Sequence, residues 1–281
     1  MNIIIQFWHS LKNVWLKFFS DNGPFLASGL SFDLILYCLP LPVLFVSGLG
    51  YTLIGSDRAL EWAQDIIERL LPEFQEPFLG LLSSLIDNRG ILGFTGFFLF
   101  FLFSSAVFSS ARHVLNKVFH VGEGRGFLKG KGNDFLLMVV LSLLMIVIVL
   151  VNSALSLLQS YGESLPAIKE LLTPLWFVIG KVFGFTCLGA LFYLFYGFST
   201  PTRLSQTSLL VGSLTAAGLF EISKWVFSLY VDLAQILTAF YGVLSGFIFF
   251  FLWVYYASVV FILGAEVGWE HERRKNNVEE R

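Results

Sequence analysis

Charged side chains are scarce: Asp, Glu, Lys and Arg make up 14% of the 281 residues, too small a share to coat a water-soluble domain of that length. Cysteine is rarer still. Cys38 and Cys187 both sit inside apolar runs, where a small buried thiol is the expected state, so no disulfide framework is implied. The four histidines, His9, His113, His120 and His271, never share a helix face at ligand spacing, and no metal site or cofactor is expected. A formal net charge of -2 gives no global basic field, which argues against nucleic acid as a partner. The glycines between Gly122 and Gly132 lack the Gly-Lys-Ser/Thr ending that cradles phosphate. Hydrocarbon fills the chain instead: 56% of residues are apolar, 32 are Phe, and mean hydropathy is +0.75.

Six stretches are apolar enough to cross a bilayer, whose core of roughly 30 Å takes about 20 helical residues. They are 27–53, 91–110, 135–158, 175–198, 208–231 and 242–267. The fold class that follows is all-α: an integral membrane bundle of six transmembrane helices, one polytopic domain over 1–281. Arg112, Lys117, Arg125, Lys129 and Lys131 follow the second span, and Arg273, Arg274, Lys275 and Arg281 occupy the tail at 269–281. The positive-inside rule puts both groups, and therefore both termini, in the cytoplasm. Residues 56–88 are acidic and amphipathic, with Ser56 as N-cap and Pro72 as a stop, and should form short helices on the outer surface. In 1–23, Phe7, Trp8, Leu11, Val14, Trp15 and Phe18 keep helical spacing opposite Gln6, His9, Lys12, Asn13 and Lys17. That pattern predicts an interfacial helix along the inner headgroups.

A few ionisable groups stand where hydrocarbon should forbid them. Glu221 and Lys224 fall roughly 20 and 24 Å into the fifth span at 1.5 Å per residue. Lys181 enters the fourth span from the opposite side to a similar level. Such groups face a protein interior or a wet cavity, so the three are expected to form a polar cluster lining an outward-opening cavity. Two cations against one carboxylate would favour an anionic guest or a lipid headgroup. A structural ion pair between Glu221 and Lys224, with Lys181 snorkelling, fits the same spacing. Near the inner edge, Arg112 is placed to bridge Asp33 or Glu266, as a staple of three helix ends or as a gate. Pro40 and Pro42 should break or kink the first span, and a broken helix in a membrane needs protein or water around its freed carbonyls. Gly180 and Gly184, Gly242 and Gly246, and Gly264 and Gly268 are each four apart, the spacing of close helix seams.

Several segments, taken in order, carry a family resemblance. They are Ala27-Ser28-Gly29-Leu30-Ser31-Phe32 running to Leu39-Pro40-Leu41-Pro42, Arg112-His113-Val114-Leu115-Asn116-Lys117-Val118-Phe119, and Phe198-Ser199-Thr200-Pro201. Tyr241-Gly242-Val243-Leu244, Leu252-Trp253-Val254-Tyr255-Tyr256 and Leu263-Gly264-Ala265-Glu266 complete the set. In these the chain resembles the YihY/BrkB family of bacterial inner-membrane proteins, once mislabelled as ribonuclease BN. The resemblance implies a six-span protein of the bacterial inner membrane, with transport proposed for some members and no catalytic residue supplied. Asp33 departs from the neutral, often aromatic residue of the family pattern.

The function expected is a transporter or lipid-handling permease for an anionic or amphipathic solute. The alternative is a structural or envelope-interaction membrane protein without transport. An enzyme is not expected: a ribonuclease needs a carboxylate or histidine cluster beside a basic groove, and the basic loop offers only Glu123 and Asp134. Its partners are the bilayer and, at that loop, anionic lipid headgroups; a homo-oligomer is left open.

Overall fold

The computed structural model describes residues 12–41, 43–44, 89–121, 132, 135–141, 143–144, 146–151, 153–154, 169–199, 204–233 and 243–279. Among them are seven helices and no strand: α1 at 12–20, α2 at Gly23–Cys38, α3 at Arg89–Val118, α4 at Phe135–Val151, α5 at Lys169–Ser199, α6 at Gln206–Leu233 and α7 at Val243–Glu279. Four are long and apolar enough to cross a membrane, over Gly90–Val118, Val178–Ser199, Gln206–Leu229 and Leu244–Asn276. These coincide with the expected second, fourth, fifth and sixth spans. At the first and third expected spans stand the shorter apolar helices α2 and α4. The 16 residues of α2 reach about 24 Å, less than a hydrocarbon core. The helix stops at Cys38, two residues ahead of the buried Pro40, where the proline ring would clash with the preceding turn. Pro42, the expected outer helices at 56–88 and the basic loop beyond Val121 lie outside the described residues.

The chain divides into two compact units, Met1–Phe32 with Phe108–Arg281, and Asp33–Val107. In the second unit Tyr37 packs against Phe100 with the rings tilted and their centroids 5.1 Å apart. A methyl group on Gly96 would lie 3.2 Å from Val43 Cγ1, so the glycine admits that side chain. Its outer positions are apolar, with Ile91, Phe94, Phe97 and Phe98 all exposed, a surface suited to acyl chains and not to water.

In the first unit α6 packs against both α5 and α7. Phe192, Phe195 and Tyr196 of α5 converge on Phe261 of α7, with ring centroids 5.3 to 6.2 Å apart. The buried Tyr196 hydroxyl donates to the Phe261 carbonyl at 2.7 Å. Small residues let α6 and α7 touch backbone to backbone. A methyl on Gly264 would sit 2.5 Å from Ala216 Cβ and 2.6 Å from the Tyr196 hydroxyl, and one on Gly212 would sit 2.8 Å from the Gly264 carbonyl. Gly268 meets the Ser208 carbonyl at 3.0 Å from the same kind of placement. Of the expected glycine seams, Gly264 and Gly268 thus form one, opposite Ser208, Gly212 and Ala216. Gly180, Gly184 and Gly246 face open space within 4 Å, and Gly242 lies outside the described residues.

Helix α1 docks on this unit by Val14 and Phe18, both buried, and leaves Trp15, Leu16 and Phe19 exposed. One narrow face packs, and beside it stand the exposed Trp15 and Phe19. The turn into α2 is set by Asn22 in the left-handed region at φ 58°, a conformation Asn tolerates. Gly23 follows because any side chain there would run into Phe18.

Candidate functional site

Two polar sites lie on otherwise apolar helices. The first is on α6, where Glu221 and Lys224 pair at 2.5 Å across one helical turn. Their side chains are 29% and 48% exposed, and the ammonium also lies 6.0 Å from the Phe220 ring centroid. Glu221 stands 15 residues past the start of α6, which is about 22 Å along the axis. The neighbouring Ile222, Trp225, Val226 and Leu229 are all exposed. Beside them runs a groove of 360 Å³ lined by Ile222, Ser223, Val226, Phe227, Leu252 and Tyr256. Lys181 is exposed on α5. The sequence pairing of Glu221 with Lys224 is thus realised on an accessible, mostly apolar face.

The second site gathers at the ends of α1, α3 and α7. Helix α3 closes with His120 in the left-handed region at φ 50°. The Val121 amide donates to the Asn116 carbonyl at 2.9 Å and the His120 amide to Lys117 at 3.2 Å, the two bonds of a Schellman cap. One carbonyl of that last turn, Val118, is left for a side chain. Lys17 reaches it from α1 at 2.8 Å. The same ammonium donates to Asp21 Oδ2 at 2.7 Å and to Glu266 Oε2 at 2.5 Å. Glu266 has no exposed side-chain surface, and its Oε1 has no hydrogen-bond partner among the described residues.

Next to this cluster is a cavity of 670 Å³ lined by Asn13, Leu16, Lys17, Ser20, Asp21, His120, Trp269, Glu270 and Arg273. Trp269 packs against both Phe119 and His120. Glu270 holds Arg274 at 2.9 Å and accepts from Asn13 at 3.4 Å. Farther along α7, Glu272 accepts the Ser205 backbone amide at 3.0 Å and its hydroxyl at 2.5 Å, capping the start of α6. The Ser208 hydroxyl lies 2.9 Å from His271 Nδ1.

Of the residues expected at the inner edge, Glu266 is therefore bonded to Lys17. Arg112 is half-buried on α3 in the first unit, and Asp33 is half-buried on α2 in the second. Sequence reasoning placed Lys17 on a wetted helix face and did not single out Asp21. The usable signal was their four-residue separation, which on a helix puts opposite charges in contact.

A family model described as Virulence factor BrkB matches residues 14–281. The chain belongs to the BrkB family. Among curated proteins, a UPF0761 membrane protein of Cronobacter sakazakii is 41% identical over 76 residues, covering 27% of this chain and 26% of that protein. UPF0761 membrane proteins of Yersinia pestis and Yersinia pseudotuberculosis are 38% identical over the same length, again 27% and 26% of the two chains. The chain thus spans about a quarter of the length of the curated relatives it matches. No solved structure matches it. As a multi-pass member of this family with apolar helices, it is a membrane protein in contact with the bilayer.

Proposed function

We propose that this BrkB-family chain is a transporter or lipid-handling permease for an anionic or amphipathic solute. It would cross the bacterial inner membrane six times, with both termini cytoplasmic and anionic lipid at the basic loop. The reading is of a non-enzymatic protein. One observation carries it: the Glu221–Lys224 ion pair lies deep along a membrane-length helix and is accessible, and the same helix lines a 360 Å³ apolar groove. Charges at that depth are costly against acyl chains and mark pathways for polar groups. A helix that carries a charged pair and also lines an apolar groove suits a molecule with one apolar and one charged end. Counting Lys181, two ammonium groups stand against one carboxylate, a balance that favours an anionic end.

The test is reconstitution of the full chain in vesicles, with transbilayer movement of a fluorescent anionic phospholipid and efflux of an anionic solute measured in parallel. Glu221→Gln combined with Lys224→Met should lower one of the two rates at least about tenfold, ~1.4 kcal/mol in barrier height. Equal rates at equal protein per vesicle would favour the structural alternative, in which the pair merely neutralises itself.

A further inference from the structure

The Lys17 cluster is short of positive charge and of donors. An ammonium has three N–H donors, and Lys17 spends them on Asp21 Oδ2, Val118 O and Glu266 Oε2, at 2.7, 2.8 and 2.5 Å. None remains for Glu266 Oε1, which is buried without a partner among the described residues. The charges sum to -1: one ammonium against two carboxylates, with side chains 15%, 11% and 0% exposed for Lys17, Asp21 and Glu266. An uncompensated buried charge is expensive, and two carboxyl groups gripping one cation force a proton onto one of them.

Among the described residues, the other groups at this end do not supply the missing charge. Of the described residues, Lys17 and Asp21 are the charged groups set against Glu266. From α3 come the Val118 carbonyl and, past the cap, the exposed Lys117 and His120. On α7 itself, Glu270 is held by Arg274 and Asn13. Asn116 Oδ1, two residues before Val118, is a second buried acceptor without a donor among the described residues.

We propose that Glu266 is a proton-binding site, its Oε1 carrying the proton that brings the cluster to neutrality. Glu266 is the member that holds it because Asp21 borders the 670 Å³ cavity while Glu266 is sealed. The step is a simple transfer: a hydrated proton in the cavity passes to the Asp21 carboxylate and on to Glu266. It makes one O–H bond, releases one water, and leaves the three N–H bonds of Lys17 in place. If the transport reading holds, this is where a coupling proton would ride; the proton site itself does not depend on that reading.

Infrared difference spectroscopy on the full chain in lipid, titrated from about pH 5 to about pH 9, reads the carboxylic-acid C=O stretch directly. The wild type should show a deuterium-sensitive band that Glu266→Gln lacks. Asp21→Asn removes one negative charge, so its band should persist only to a lower pH, with proton affinity reduced at least about tenfold, one pH unit. Superimposable spectra for wild type and Glu266→Gln would overturn the proposal. Should Glu266→Gln fail to accumulate, an unmoved midpoint in Asp21→Asn would overturn it equally. A band accompanied by flux that ignores a proton gradient would keep the proton site and dissociate it from transport.

Discussion

Gly264→Ala tests the helix seam with a single methyl group. In the structure that methyl falls 2.5 Å from Ala216 Cβ, 2.6 Å from the Tyr196 hydroxyl and 3.0 Å from the Gly212 carbonyl. None of these is the free end of a flexible chain. Two are on or next to the α6 backbone, and the third is tied to the Phe261 carbonyl. Relief requires α6 and α7 to part, or Tyr196 to give up its bond. Overpacking of this kind costs about 1–3 kcal/mol, and the lost hydrogen bond adds about 1 kcal/mol, so a destabilisation of about 2–4 kcal/mol is expected. By the scaling of soluble domains that is a fall in Tm of roughly 4–16 °C. Gly246→Ala is the matched control on the same helix, since nothing lies within 4 Å of its added methyl and Ala is the better helix former by up to about 1 kcal/mol. Thermal melting of the two variants in one detergent, followed by loss of the monodisperse peak, compares them. A Gly264→Ala melt equal to wild type, or a Gly246→Ala melt that falls as far, would refute the seam.

Lys17→Met leaves the Asp21 carboxylate buried without its cation and should cost about 3–5 kcal/mol, read as loss of folded protein on size exclusion. Combining it with Asp21→Asn should recover most of that loss, and additive losses would show the two residues to be uncoupled. Glu272→Ala strips the acceptor from the Ser205 amide and should cost about 0.5–2 kcal/mol. Hydrogen exchange of the amides at the start of α6 should quicken in that variant while the middle of α6 keeps its protection.

Hydropathy located α3, α5, α6 and α7 because each is an unbroken apolar run, and such runs have one structural solution in lipid. The end of α2 was legible in Pro40 for an equally local reason, a missing donor and a steric clash. Half of the glycine seam was readable in Gly264 and Gly268. Its other half was not, since Ser208, Gly212 and Ala216 mix three residue types and only contact with a partner helix gives them a common role. The same spacing at Gly180 and Gly184 produced no close approach, so spacing permits a seam without requiring one. Glu221 with Lys224 could be paired from one helix alone. Lys17 with Glu266 could not: 249 positions separate them, and nothing in a single sequence says which buried carboxylate an amphipathic N-terminal helix will meet.

That separation has a consequence for biogenesis. Lys17 and Asp21 stand four residues apart and can pair as soon as their turn of helix forms, whereas Glu266 is translated 249 positions after Lys17. A nascent chain stopped short of Glu266 therefore holds its Lys17–Asp21 pair with one of the three ammonium hydrogens still spent on water or a headgroup, a local difference by which it can be told from a chain that has passed that point.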